Sequence, residues 1–125
     1  IVAATASSLA GADLGPSAPP PLMLWLADLP VWRKLLIVGV AMTVEEAFFR
    51  AFLQQRLGLG LSTALFALAH FNYGLPFLVV AVFSISLVFG ALFEVRRHLL
   101  ACVVAHGVFD AIQIFLIIPL ALRGV

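Results

Sequence analysis

Charge is what this 125-residue sequence has least of. Asp, Glu, Lys and Arg make up 10% of it, where about 25% is usual for a soluble domain. Hydrophobic residues reach 64% and mean hydropathy is +1.19. That is the composition of a polytopic membrane protein, not of a globular one with a large core. A net charge of +1 leaves no basic or acidic surface to recruit nucleic acid or an acidic partner. The single cysteine, Cys102, excludes an internal disulfide. Tyrosine is nearly missing, one against 11 phenylalanines, which suits lipid contact better than a wet interface. The helical zinc motif His-Glu-x-x-His is absent, and no internal repeat is visible.

Residues 1–30 read as an N-terminal segment with a Pro-rich linker, and residues 31–125 as a membrane-embedded core. The opening run Ile-Val-Ala-Ala-Thr-Ala-Ser-Ser-Leu-Ala lacks the basic n-region of a signal peptide. It reads as the tail of an earlier hydrophobic segment, so the chain is expected to be part of a larger bundle. Residues 11–22 are a Pro/Gly/Ser linker without periodicity, and 23–29 a short interfacial piece anchored by Trp25. Trp32, Arg33 and Lys34 mark a membrane boundary.

A first long helix is expected over residues 31–57, ended by Gly58 and Gly60. A second, over 62–71 with Ser62 as N-cap, is too short to cross a hydrocarbon core of about 30 Å. Residues 75–93 are an uninterrupted uncharged run, the clearest spanning helix. Its Phe residues are expected to face lipid, with Ser84 and Ser86 touching neighbouring helices. A last helix over 98–122 is bent or ended by Pro119. The fold class is therefore all-α, a multi-pass transmembrane bundle of about four helices, one of them short or partly inserted. Arg33, Lys34 and Arg123 fall on one side and Arg56, Arg96 and Arg97 on the other, so the positive-inside rule assigns no orientation.

Against this apolar background three segments stand out: Glu45-Glu46-x-x-x-Arg50, Phe66-x-x-x-His70 and His106-x-x-x-Asp110. Each ionisable group in a bilayer costs about 2.5–3.5 kcal/mol at a helix centre. Six of them should converge on one polar cavity, a functional site by default. Glu46 and Arg50 are four apart with the carboxylate first, the favourable order for a helical ion pair. Glu45 lies about 100° round the same helix and is left to act as general acid or base. His70 comes from another helix, with Phe66 one turn before it as a wall and candidate substrate contact. His106 and Asp110 share one helix face, where the carboxylate is expected to orient the imidazole. This inventory suits hydrolysis by an activated water. Two histidines and a glutamate, His70, His106 and Glu45, would also satisfy an open Zn²⁺ site; the residues alone leave a divalent metal and no metal both open.

In that order, on hydrophobic helices, the three motifs resemble the CPBP family of intramembrane proteases, which includes the CAAX prenyl endopeptidases and the Abi group of bacteriocin-processing or immunity proteins. The local contexts agree: Glu45-Glu46-Ala-Phe-Phe-Arg50-Ala, Leu65-Phe66-Ala-Leu-Ala-His70-Phe71 and Val103-Val104-Ala-His106-Gly. The resemblance covers about residues 31–115. It implies a peptide hydrolase, called a metalloprotease by convention, whose partners are membrane lipid and a peptide or protein substrate. By it, Glu45 activates the attacking water with help from His70, Glu46 and Arg50 support them, and His106 with position 110 stabilises the oxyanion. Relatives usually carry Asn at that last position. An ionised Asp110 accepts hydrogen bonds but donates none, so it fits better as an orienter of His106 than as an oxyanion donor.

Other readings remain on the residues themselves. A catalytically silent scaffold or immunity protein would use the same cluster to lock its helices. A proton or ion pathway would need a chain of sites across the bilayer rather than one cluster. Cys102, one turn before His106, is read as a small packing residue rather than a nucleophile, and His98 as interfacial. Asn72 and Tyr73 either line a substrate entrance or make a plain turn.

Overall fold

The computed structural model describes residues 18–71 and 76–123. Among these the regular structure is entirely helical. The N-terminal part of the linker, Asn72 and Tyr73 lie outside the described residues. Helix α1, Pro21–Asp28, starts on prolines that lack the amide hydrogens an N-terminus would leave unpaired. It ends where Lys34 Nζ, itself buried, donates to the Ala27 carbonyl at 3.0 Å. A cation on the last carbonyls also complements the helix dipole.

After Pro30 the chain runs unbroken in right-handed helical conformation through Val31–Leu36, Ile37–Ala41, Met42–Glu46 and Ala47–Gln54. Ile37–Ala41 and Ala47–Gln54 are widened into π-helical turns. The next stretch, Gln55–Ala69, is broken at Gly58, whose φ of 78° and ψ of 169° only glycine adopts without strain. Residues 31–57 are therefore α2 and residues 59–69 are α3. Because α3 begins just after the break, Ser62 sits within its first turn and donates to the Leu59 carbonyl at 3.1 Å instead of capping the helix.

Helix α4, Pro76–Arg96, and helix α5, which joins Leu99–Ile112, Gln113–Ile117 and Ile118–Arg123, form a hairpin. Arg97, at φ 50°, turns the corner, and its amide donates to the Phe93 carbonyl at 2.8 Å in a left-handed C-cap. Pro119 does not end α5. The π turns of Gln113–Ile117 precede it, loosening the ladder where its ring would crowd the Phe115 carbonyl. The stretches Leu78–Arg96 and Leu99–Arg123 are long and apolar enough to cross a membrane, and 22% of each apolar window is buried within the protein. Most of their surface, including Val80, Val88, Leu100, Val104 and Val108, faces outward.

Helix α3 packs against α4 and against the second half of α2; α5 packs against α4 and against the first half of α2. The core between them holds Met42, Phe49, Phe66, Phe89, Phe93, Cys102 and Ile114. Phe89 and Phe93, expected to face lipid, are each 5% exposed because α5 covers that side of α4. Ser84 is exposed and bonds back to Val80 of its own helix, so of the two serines Ser86 makes the interhelical contact.

Candidate active site

Helix α2 brings the Glu46 and Arg50 side chains together one turn apart. Arg50 Nε donates to Glu46 Oε2 at 3.1 Å, and both side chains are completely buried. The other oxygen, Oε1, lies 2.8 Å from His106 Nδ1 on α5. With Oε2 accepting from Arg50, Oε1 accepts in the same way, so His106 carries a proton on Nδ1 and donates it. Arg50 also reaches α4, where Nη2 donates to Ser86 Oγ at 2.9 Å.

A second link continues along the same face. Gln54 Nε2 donates to the Gly90 carbonyl at 2.8 Å and to Glu94 Oε1 at 3.1 Å. Glu46, Arg50 and Gln54 are successive i, i+4 positions on α2; Ser86, Gly90 and Glu94 are the same on α4. Both cross-links join residues 36 apart in the chain, so the two helices run in the same direction and their polar stripes face each other. Gln54 belongs to this network without having been expected there, and Ser86, expected as an interhelical contact, is the partner of Arg50. The four-residue spacing of the two stripes was the signal that could have paired them.

His70, at the end of α3, has Nδ1 2.8 Å from the Phe66 carbonyl. A carbonyl accepts only, so this nitrogen bears a hydrogen and donates it. Phe66 stacks on the His70 ring with centroids 4.5 Å apart and lies 5.9 Å from that of His106, while the Arg50 guanidinium carbon lies over the Phe66 ring, 5.3 Å from its centroid. It is 2% exposed. Phe66 is therefore a wall that braces both imidazoles, with almost no surface to offer a substrate. Phe89 contributes a second wall, 4.9 Å from the His106 ring.

Glu45 lies within electrostatic reach of His106, His70, Asp110 and Glu46, so residues of all three motifs are in its surroundings. Its Oε2 is buried and has no hydrogen-bond partner among the described residues. Asp110 Oδ1 is 3.9 Å from His106 Nε2, an ion-pair distance too long for a hydrogen bond. The orienting carboxylate of His106 is thus Glu46, on a different helix, and not the Asp110 one turn away. Among the described residues no three His, Cys, Asp or Glu side chains are gathered closely enough to hold a metal ion. Glu46 has both oxygens engaged, and His106 and His70 each have Nδ1 committed. Glu45 with Nε2 of His70 and of His106 is the donor set a divalent metal would use, Nδ1 of each ring being held by a carbonyl or carboxylate as in metal-ligating histidines.

The fold and site define a membrane-type helical protein in which two carboxylates and two imidazoles are gathered among membrane-length apolar helices. Comparison with known families narrows the class. Residues 27–112 match the model of the type II CAAX prenyl endopeptidase Rce1-like family, and the chain belongs to that family. The chain is also 35% identical over 69 residues to "Uncharacterized protein YpbD" of Bacillus subtilis (strain 168), an alignment covering 54% of this chain and 36% of that protein. The chain thus spans about a third of the length of this relative. No solved structure matches it.

Proposed function

We propose that the protein is a multi-pass intramembrane endopeptidase that hydrolyses a peptide bond near the membrane surface, of the CAAX or leader-peptide processing type, with Glu45 as general base. The observation that carries this is the division of labour between two adjacent carboxylates. Glu46 is consumed by Arg50 and His106, while Glu45, within electrostatic reach of His70 and His106, keeps a buried oxygen with no donor on it among the described residues. A structural ion-pair network has no use for the second carboxylate; an activated water does.

In this reading a water between Glu45 and His70 loses a proton to Glu45 as its oxygen bonds to the scissile carbonyl carbon. His70 Nε2 accepts the water's other hydrogen and aims it. The carbonyl π pair moves onto oxygen, and a hydrogen on His106 Nε2, aimed by the Nδ1 contact to Glu46, bonds to that oxyanion. Asp110 lies 3.9 Å from that nitrogen and does not itself donate. Collapse of the intermediate breaks the C–N bond, and Glu45 returns its proton to the departing amine.

Cleavage of a membrane-peptide library by the purified protein in detergent, beside Glu45→Ala and His70→Ala, tests the proposal. Both variants should fold as the parent does and lose at least about 100-fold in activity, the lower end of what an acid–base group contributes. Parental activity in either would return the cluster to a purely structural role. A parallel reaction with a chelator separates water activated by Glu45 alone, which survives it, from water activated on a bound metal, which does not.

A further inference from the structure

Four side chains form one uninterrupted hydrogen-bonded line across three helices: Ser86 on α4, Arg50 and Glu46 on α2, and His106 on α5. Arg50, Glu46 and Ser86 are fully buried and His106 nearly so. Among the described residues Ser86 Oγ is the side-chain acceptor for Arg50 Nη2, while Nη1 of the same group has no partner. A guanidinium is planar, so fixing Nη2 at one end fixes the direction of Nε at the other. Arg50 Nε in turn sets which way the Glu46 carboxylate faces, and Glu46 sets the tautomer and ring plane of His106.

We propose that Ser86 is a positioning residue of the active site: acting through Arg50 and Glu46, it holds His106 in the orientation that presents Nε2 to the reacting carbonyl. Ser86 touches neither His106 nor any group placed at the reacting bond. Its effect on the reaction rests on the endopeptidase reading, whereas its effect on the His106 ring does not. Without the hydroxyl, Arg50 loses its anchor on α4, and the Glu46 carboxylate rotates with it. His70 Nδ1 is held by the Phe66 backbone carbonyl of its own helix, outside the Ser86–Arg50–Glu46–His106 line, so its Nδ1 signal serves as the internal reference. That reference separates positioning from general loosening of the fold.

The test uses the full chain, labelled with ¹⁵N-histidine, as wild type, Ser86→Ala, Ser86→Cys and Ser86→Thr. Ser86→Cys keeps the volume but is a poor acceptor; Ser86→Thr keeps the hydroxyl. With three histidines in the sequence, side-chain ¹H–¹⁵N spectra resolve each ring, assigned by single His→Gln variants. In wild type, His106 should show a protonated, hydrogen-bonded Nδ1. In Ser86→Ala and Ser86→Cys that signal should shift or broaden while His70 is unchanged, and Ser86→Thr should restore it. In the cleavage assay kcat should fall by about 10- to 100-fold at unchanged KM, the range seen when supporting hydrogen bonds or reactive geometry are disturbed. An unchanged His106 signal in both Ser86→Ala and Ser86→Cys overturns the proposal, as does loss of the His70 signal alongside it. If the His106 signal moves as described but wild type cleaves nothing, the positioning stands and the endopeptidase reading fails.

Discussion

At the scale of single residues, Glu45 and Glu46 are neighbours in sequence with opposite electrostatic circumstances, and substitution should separate them. Arg50→Ala strips the counter-charge from a fully buried Glu46. Removing one partner of such a pair costs about 3–5 kcal/mol because the survivor is left uncompensated. Glu45→Gln removes a carboxylate whose Oε2 has no donor among the described residues, so stability should be kept or rise slightly, as when strain at a functional site is relieved. Thermal unfolding in detergent should show a large drop for Arg50→Ala and none for Glu45→Gln. A drop of similar size in both would mean that Glu45 is structural too. The Glu46–Arg50 pair was legible from the sequence because i, i+4 contacts are fixed by helix geometry alone. The partner of His106 was not. Asp110 was the local choice, but Glu46, 60 residues away, lies nearer because α5 packs against the first half of α2.

The helices themselves set the register of this site. Residues four apart on a regular helix drift by about 40° round the axis at each step, enough to turn Gln54 away from a partner that Glu46 faces. The π turns of Ala47–Gln54 rotate the chain less per residue, and Arg50 and Gln54 both remain turned toward α4. Nothing in the local sequence marks these wide turns. They coincide with the stretch that carries both cross-links to α4, a tertiary setting, so a helix boundary such as Gly58 could be read while the helix's internal winding could not. The close approach of α4 requires Gly90. A Cβ there would collide with Leu59 Cδ1 and stand 3.0 Å from Gln54 Oε1. Gly90→Val should therefore destabilise by about 1–3 kcal/mol, the usual cost of overpacking. Gly90→Ala should be milder, and Leu59→Ala should recover part of its loss by vacating the space. Additive losses in the double variant would show that Leu59 is not the obstruction.

Across the whole molecule, apolar surface is arranged outward and polarity inward, the reverse of a water-soluble fold and the arrangement a bilayer demands. The two long helices were legible from hydropathy because lipid contact needs no partner to be chosen. Which of their faces turns inward was not, and Phe89 and Phe93 went to the core. The one thiol reports on that assembly. Cys102 is 0% exposed, between α5 and α4, with Sγ 3.6 Å from the Phe89 carbonyl. A maleimide can reach it only when the two helices part, so its labelling rate measures opening of the bundle at the layer of His106. For a fold of ordinary stability, labelling of the native protein should be at least about 1,000-fold slower than in denaturing detergent. Gly90→Val, which wedges α4 away from α2 and α3, should speed it; Glu45→Gln, which leaves every helix contact in place, should not. Rapid labelling of the wild type would mean that α4 and α5 are not packed as described, and the Ser86–Arg50–Glu46–His106 line that depends on their packing would fall with them.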